Sequence, residues 1–464
     1  MWVAALALVA GCQKLCVGAG CEENFGAATL TVFSGSALPA AGSIEPELGT
    51  ALVTGTEADG PIWAVTATGD RILVGSSIGS SVRSFSSQDP SQTTSDADGI
   101  IRGETNRDAF GHQVATFTDY DGDQALLVAA PLYSVSAASR DDGSIHQFSG
   151  KGTGFNGSFN ALDASFRVNG VESGARFGST VAVCPDLDGD GGDEWFVGAP
   201  RSSEGSEMAG SATLILSTER LSVDVQTGSG AFEKRWYGEA VGARAGHALA
   251  CSNDLDGDGT ADLVIGAPFT DGPDGTDAVG AVYVLSGTDL DSSGPLAGAA
   301  TRVLYGIEAN EWMGYSVAIG DVDGDGLADL VAGAPGSDEA SGAVHIWLGA
   351  QPIAGEPTTT LRGDTAGDGF GHAVSVGDLN ADGIDDLVVG APYLNPSTDE
   401  ETFDAGALFL YFGKSSWTGL ADRIYDASIG GTEQYQRTGR SILVADLTGD
   451  GHADIASVQR TAPE

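Results

Sequence analysis

Basic residues are scarce in this chain: 21 Lys and Arg stand against 65 Asp and Glu, a formal net charge of −44 over 464 residues. Lysine is confined to Lys14, Lys151, Lys234 and Lys414, and no basic cluster occurs anywhere. A chain with this balance repels phosphodiester backbones and anionic headgroups, which excludes nucleic-acid binding and electrostatic attachment to a bilayer. Long apolar runs are missing too. The N-terminal run at 2–10 falls well short of the about 20 residues a spanning helix needs. Five cysteines are present, at no spacing that suggests zinc. What abounds is glycine, 69 residues without a collagen period, which reads as dense turns. Apolar segments recur between those turns, so the chain folds and is not an acidic disordered polymer.

The N-terminus, "MWVAALALVAGCQKLC", places a short apolar stretch before Val9-Ala10-Gly11-Cys12. It resembles a bacterial lipoprotein signal, although a basic residue ahead of the apolar run is missing. The resemblance implies a signal peptide at 1–11, lipid attachment at Cys12 and a tether at 12–27 leading into the folded domain. Gln13 in second place implies the outer membrane. With Cys12 lipidated, Cys16, Cys21, Cys184 and Cys251 form an even set suited to an oxidising compartment. Spacing does not fix the connectivity; Cys16–Cys21 with Cys184–Cys251 is the pairing we expect.

The stretch "DLDGDGTADLVIGAP", 254–268, crowds four Asp into nine positions and turns at once into an apolar strand. Carboxylates so close oppose one another's ionisation unless something neutralises them. Ca²⁺, which takes six to eight oxygen ligands from a flexible loop, does so. Asp254, Asp256, Asp258 and Asp262 would supply side-chain oxygens and Thr260 its carbonyl, while Gly259 lets the backbone turn. The loop recurs at 57–68-residue intervals. Asp321, Asp323, Asp325 and Asp329 with the Leu327 carbonyl form a complete set. Asp186, Asp188, Asp190 and Glu194 with the Gly192 carbonyl differ by one Glu. Asp378, Asn380, Asp382 and Asp386 with Ile384 remain consistent, since Asn also offers oxygen. In the last copy Thr448 stands at position three beside Asp446, Asp450, Asp454 and the His452 carbonyl. A shortened copy with Asp119, Asp121 and Asp123 lacks the ninth carboxylate and is expected to be vacant or weak. About four to five Ca²⁺ ions are thus expected. A helix–loop–helix calcium hand would need Glu at position twelve, where residue 265 is Ile.

Each loop is flanked by three further recurring segments. Upstream come "FGHQVA", "FGSTVA", "AGHALA", "MGYSVA" and "FGHAVS", and before some of these "VLYG", "RWYG" or "TLRG". Downstream come "GAVYVLSG", "GAVHIWLG" and "GALFLYFG". Alternation and β-branched content make all of them strands. Four short strands repeating without helices between them predict an all-β propeller of four-stranded blades. Six loop units and a degenerate one at 62–77 give seven blades. The last unit lacks a downstream strand, and "ATLTVFSG" at 28–35 is a spare copy of it. One strand donated from the N-terminus is therefore expected to close the ring, with a domain over 28–458 and a tail at 459–464.

The pattern "FG…DxDGDGxxDLxxGAP" resembles the FG-GAP repeat of the integrin α-chain N-terminal propeller and its bacterial relatives. That resemblance implies seven blades with calcium in hairpin loops on one face. Other motifs fit the repeat. "GSSIG" at 75–79 mimics a nucleophile elbow but falls where the other blades have Gly-Ala-Pro. "RGD" at 362–364 coincides with a repeated strand end, and His112, His247 and His372 share one repeat position, which spreads them round a ring. The expectation is a calcium-stabilised, lipid-anchored module outside the cytoplasm that binds an extracellular protein or glycan. The rivals are an extracellular hydrolase or lyase on the same scaffold and an envelope component.

Overall fold

The computed structural model describes residues 28–33, 42–44, 50–54, 64–68, 71–86, 92–93, 96–136, 138–150, 154–216, 225–228, 233–252, 254–290, 293–350, 353–395, 403–417, 425–447 and 452–460. Cys12, Cys16, Cys21, Thr448 and Asp450 lie outside them.

Seven sheets each contain four antiparallel strands, in six of them in sequence order from the axis outward. In blade 4 these are Ala248–Ser252, Asp262–Ala267, Ala281–Leu285 and Arg302–Tyr305. Blades 1, 2, 3, 5 and 6 begin at Ala64–Thr68, Val114–Thr118, Thr180–Cys184, Ser316–Gly320 and Ala373–Gly377. The seven innermost strands contact one another in a closed circle that includes blades 7 and 1. The chain is a seven-bladed β-propeller.

Burial explains why the strands read differently. Second strands such as Asp262–Ala267 and Asp329–Ala334 are buried throughout, because each is covered by a neighbouring blade on both faces. They are accordingly near-continuous apolar runs. Innermost strands such as Ala373–Gly377 are half-buried at every position, because they line the axis. The core is divided into seven clusters, one at each blade-to-blade junction.

The repeat motif has a steric cause at these junctions. The Gly of Gly-Ala-Pro packs backbone to backbone against the FG glycine of the next blade. A Cβ at Gly198, Gly266, Gly333 or Gly390 would stand 2.2, 2.1, 2.0 or 1.9 Å from the carbonyl oxygen of Gly246, Gly314, Gly371 or Gly439. No side chain fits there.

Closure differs from expectation in one respect. Blade 7 takes Ile442–Ala445 and Asp454–Arg460 from the C-terminal side, and the N-terminal segment donates two strands, Ala28–Phe33 and Thr50–Thr54. The first pairs antiparallel with the last, Ala28 opposite Arg460 and Phe33 opposite Ile455. The last strand thus runs two residues past the expected boundary at 458. Short parallel strands extend several blades, for example Gly157–Asn160 along Gly99–Arg102 and Gly42–Ile44 along Ala427–Gly430. "GSSIG" forms a strand–turn–strand, Arg71–Ser76 and Ser81–Ser86, whereas a nucleophile elbow requires strand–turn–helix.

Candidate metal centre

The acidic loops join innermost to second strands, so all of them lie at one end of the ring. Each is built round its first Asp. Asp254 Oδ1 accepts from the backbone N–H of Gly257 at 2.6 Å and Asp258 at 3.0 Å, and Oδ2 from Gly259 at 2.7 Å. Asp186 and Asp321 accept the same three bonds in their loops. Wrapping the backbone round one carboxylate requires left-handed residues at positions four and six. Gly257 and Gly259 have φ of 79° and 91°, and Ala381 takes 56° where the other complete loops have glycine.

The ninth carboxylate clamps the loop to the sheet. Glu194, Asp262, Asp329, Asp386 and Asp454 have no exposed surface. Each accepts the N–H of position two: from Leu187 at 2.6 Å, Leu255 at 2.8 Å, Val322 at 2.8 Å, Leu379 at 2.9 Å and Leu447 at 2.8 Å. In three loops the other oxygen accepts from a glycine just past the third strand, Gly287, Gly349 or Gly413. Burial pushes Asp262 up to about 6, Asp329 to about 7 and Asp386 to about 6 against these stabilising bonds. The third positions, exposed Asp188 and half-buried Asp256 and Asp323, are also raised, first by desolvation and further by neighbouring aspartates.

Three donor groups have oxygens within 4.8 Å of one another: Asp186, Asp188, Asp190 and Glu194; Asp254, Asp256 and Asp262; Asp321, Asp323 and Asp325. The donors are all hard oxygens, which suit Ca²⁺ over zinc or copper. Two expected carboxylate ligands of these three loops stand outside the groups, and among the described residues the loop at Asp378 forms no such group. Asp258 turns to Thr260, Ser286 and Thr288, at 2.5, 2.8 and 3.0 Å, and those hydroxyls hold it down at about 2. Asp329 is held by Val322 and Gly349. In blade 6, Asp378 and Asn380 both accept from Asp382 N, and Asp382 accepts from Ile384 N. Of the last loop, Asp446, His452 and Asp454 are described. In the shortened loop Asp123 N–H donates to Asp119 Oδ1 at 2.9 Å, closing a tight turn.

Two features escaped sequence reasoning. Neighbouring loops are linked: the eighth residue donates its N–H to the preceding blade, Ala328 to Asp254 O at 3.0 Å, Asp385 to Asp321 O at 2.9 Å and Asp193 to Thr118 O at 2.8 Å. The carboxylates of Asp385 and Asp193 return the contact to the N–H of Asp321 and Thr118 at 3.0 and 2.7 Å. The period was legible; this lateral bond involves a position without fixed identity. Between blades 3 and 4 a disulfide joins Cys184 to Cys251, Cα atoms 5.0 Å apart, as the expected pairing had it.

Comparison with known proteins agrees with this geometry. A family model described as FG-GAP repeat matches residues 245–285, 313–347 and 370–411, the innermost to third strands of blades 4, 5 and 6. This is an integrin-α-like FG-GAP β-propeller. Over 148 residues the FG-GAP propeller is 36% identical to mouse integrin alpha-IIb, covering 31% of this chain and 14% of that protein. It is 34% identical over 152 residues to chicken integrin alpha-8, covering 32% and 14%. Human phosphatidylinositol-glycan-specific phospholipase D is 34% identical over 160 residues, covering 32% and 19%. The FG-GAP propeller therefore spans less than a fifth of the length of these relatives.

Proposed function

We propose that this propeller is a binding module displayed outside the cytoplasm and stiffened by calcium in its acidic loops. The observation that carries the reading is the gathering of oxygen donors in three loops of one geometry at one end of the ring. Asp186, Asp188, Asp190 and Glu194 would hold one ion, and the loops starting at Asp254, Asp321, Asp378 and Asp446 the others, about four to five in all. A bound Ca²⁺ neutralises clustered carboxylates that repel one another in the fold and are free to separate in the unfolded chain. At a hundredfold excess over Kd each site would stabilise the fold by about 2.7 kcal/mol. Lipid attachment at Cys12 would display the module at a bacterial surface, bound to an extracellular protein or glycan. Among the described residues no helix is long and apolar enough to cross a membrane.

The test is thermal melting with elemental analysis. Chelator should lower the melting temperature, and Ca²⁺ should restore it better than Mg²⁺, whose tight octahedron suits these loops less. Asp256→Ala and Asp323→Ala should each remove one ion, and Asp121→Ala none. An unchanged melt in chelator with no bound calcium would reject the reading. A second reading, an enzyme, is favoured by the similarity to phosphatidylinositol-glycan-specific phospholipase D. Cleavage of a phosphatidylinositol-glycan by the purified chain would decide for it.

A further inference from the structure

The opposite end of the ring has a different chemistry. It is formed by the connections from second to third strands and from each outermost strand to the next blade. Arg176, Arg244 and Arg437 occupy one repeat position there, two residues before the FG glycine, at left-handed φ of 58°, 57° and 55°. Blade 6 fills this position with Gly369, φ 67°, which is all the turn requires. Arginine there accepts backbone strain of about 1–3 kcal/mol and contributes a side chain in return.

Those side chains converge with others. Arg440 directly follows its FG glycine, in the position of His112, His247, Tyr315 and His372. Tyr315 lies 4.6 Å from His247 and 5.0 Å from His372, ring centre to ring centre, so these positions meet round the axis instead of spreading apart. Arg244 stacks on Phe269 at 4.9 Å and Arg437 on Tyr393 at 5.4 Å. Arg201 is close enough to Arg176 that, after burial itself, it and Arg244 draw the Arg176 pKa downward. Arg176 and Arg437 each have one carboxylate at ion-pair distance, Asp141 at 3.7 Å and Asp404 at 3.6 Å. The Nε atoms of Arg176 and Arg437 are buried without a hydrogen-bond acceptor, which a folded protein rarely leaves so.

Apolar surface surrounds them. Val171, Met208, Val241, Ile307, Phe403 and Tyr435 are all exposed, and all lie on connections at this end. Arginine, Met and aromatic residues are enriched in protein–protein interfaces and Lys is depleted, which matches arginines at this end without a lysine.

We propose that this end of the ring docks a protein partner that inserts a carboxylate among Arg176, Arg201 and Arg244 and covers the apolar residues round them. The proposal rests on the binding-module reading and names its surface. Charge fixes the kind of partner. The acidic loops are a five-residue strand away, about 17 Å, beyond a Debye length of about 8 Å at physiological salt. The outer connections on the arginine side are acidic, with Asp271, Asp274 and Asp277 in one of them. A polyanionic glycan would meet that rim along its length, whereas one or two carboxylates in an apolar peptide reach the axis.

The probe is a display library of random twelve-residue peptides, selected on the full calcium-loaded chain. The expected winners carry Asp or Glu among Leu, Phe or Tyr, and lose at least tenfold in affinity on replacement of that acid by its amide. Arg176→Gln with Arg244→Gln should cause the same loss, while Asp121→Asn at the other end should not. Arg201→Gln, outside the left-handed turn, serves if the double variant melts early. Basic winners, binding indifferent to the arginine variants, no enrichment, or tighter retention of chondroitin sulfate than of any peptide would overturn the proposal. Calcium-dependent melting is read independently, so a stabilised ring without an acidic-peptide site rejects this inference and leaves the binding-module reading standing.

Discussion

Three imidazoles at the arginine end make the fold sensitive to acid. Burial holds His112 and His247 down at about 4 and His372 at about 3, below the ordinary 6.5. Arginines add to this, Arg176 beside His112, Arg244 beside His247 and Arg440 beside His372. The unfolded chain is then the better proton acceptor. Stability is whole above pH 6.5, falls as pH drops through that value, and levels off only below the folded pKa. Each buried imidazole surrenders on the order of 3 kcal/mol across that window. His247→Gln with His372→Gln should therefore flatten the decline in melting temperature between pH 6.5 and 4. The comparison with wild type cancels the raised carboxylates, whose protonation acts in the opposite sense. Equal slopes in the two proteins would contradict the burial argument. At this scale Asp258 also shows the limit of spacing arguments: its position in the loop was legible, but Ser286 and Thr288, which capture it, lie about thirty residues away.

At the scale of strands, the Gly-Ala-Pro glycine is a contact. Gly266→Ala drives a Cβ into the carbonyl of Gly314, a backbone atom that cannot rotate aside. Overpacking of this kind should cost roughly 1–3 kcal/mol, read as a lower denaturant midpoint, whereas Gly257→Ala meets only the tip of Leu327 at 3.7 Å and is penalised for its φ alone. The closing strand gives a second test. A chain starting at residue 34 loses every rung between Ala28–Phe33 and Asp454–Arg460, and should melt well below one starting at 28. Equal melting of the two would refute the closure. The blade count, the strand order and this first donated strand were legible because the hydrophobic period and the FG glycines repeat. Thr50–Thr54 was not, because it matches no repeat. The short parallel strands were hidden for another reason: two to four residues carry no period.

For the whole molecule, the disulfide does a job that hydrogen bonds do elsewhere. Cys184 and Cys251 end neighbouring innermost strands just before their acidic loops, and close a loop of 67 residues. In the chain-entropy account that is worth about 4 kcal/mol. Replacing both by Ala should lower the melting temperature and weaken calcium binding in the loops at Asp186 and Asp254 more than in the loop at Asp378. Uniform weakening would show that the bridge acts only on the unfolded chain.

The antiparallel seam of blade 7 also sets how the ring responds to force. Ala28 faces Arg460 at one end of the pair, so tension applied between these two residues opens the rungs singly, as a zipper opens. Load that enters through one of them and leaves through a partner docked on the arginine end takes another route, along strand Ala28–Phe33 and across its full set of bonds to two neighbours. The same seam is weak against being peeled and strong against being sheared, and a module held at one terminus while its partner pulls is loaded in the strong direction.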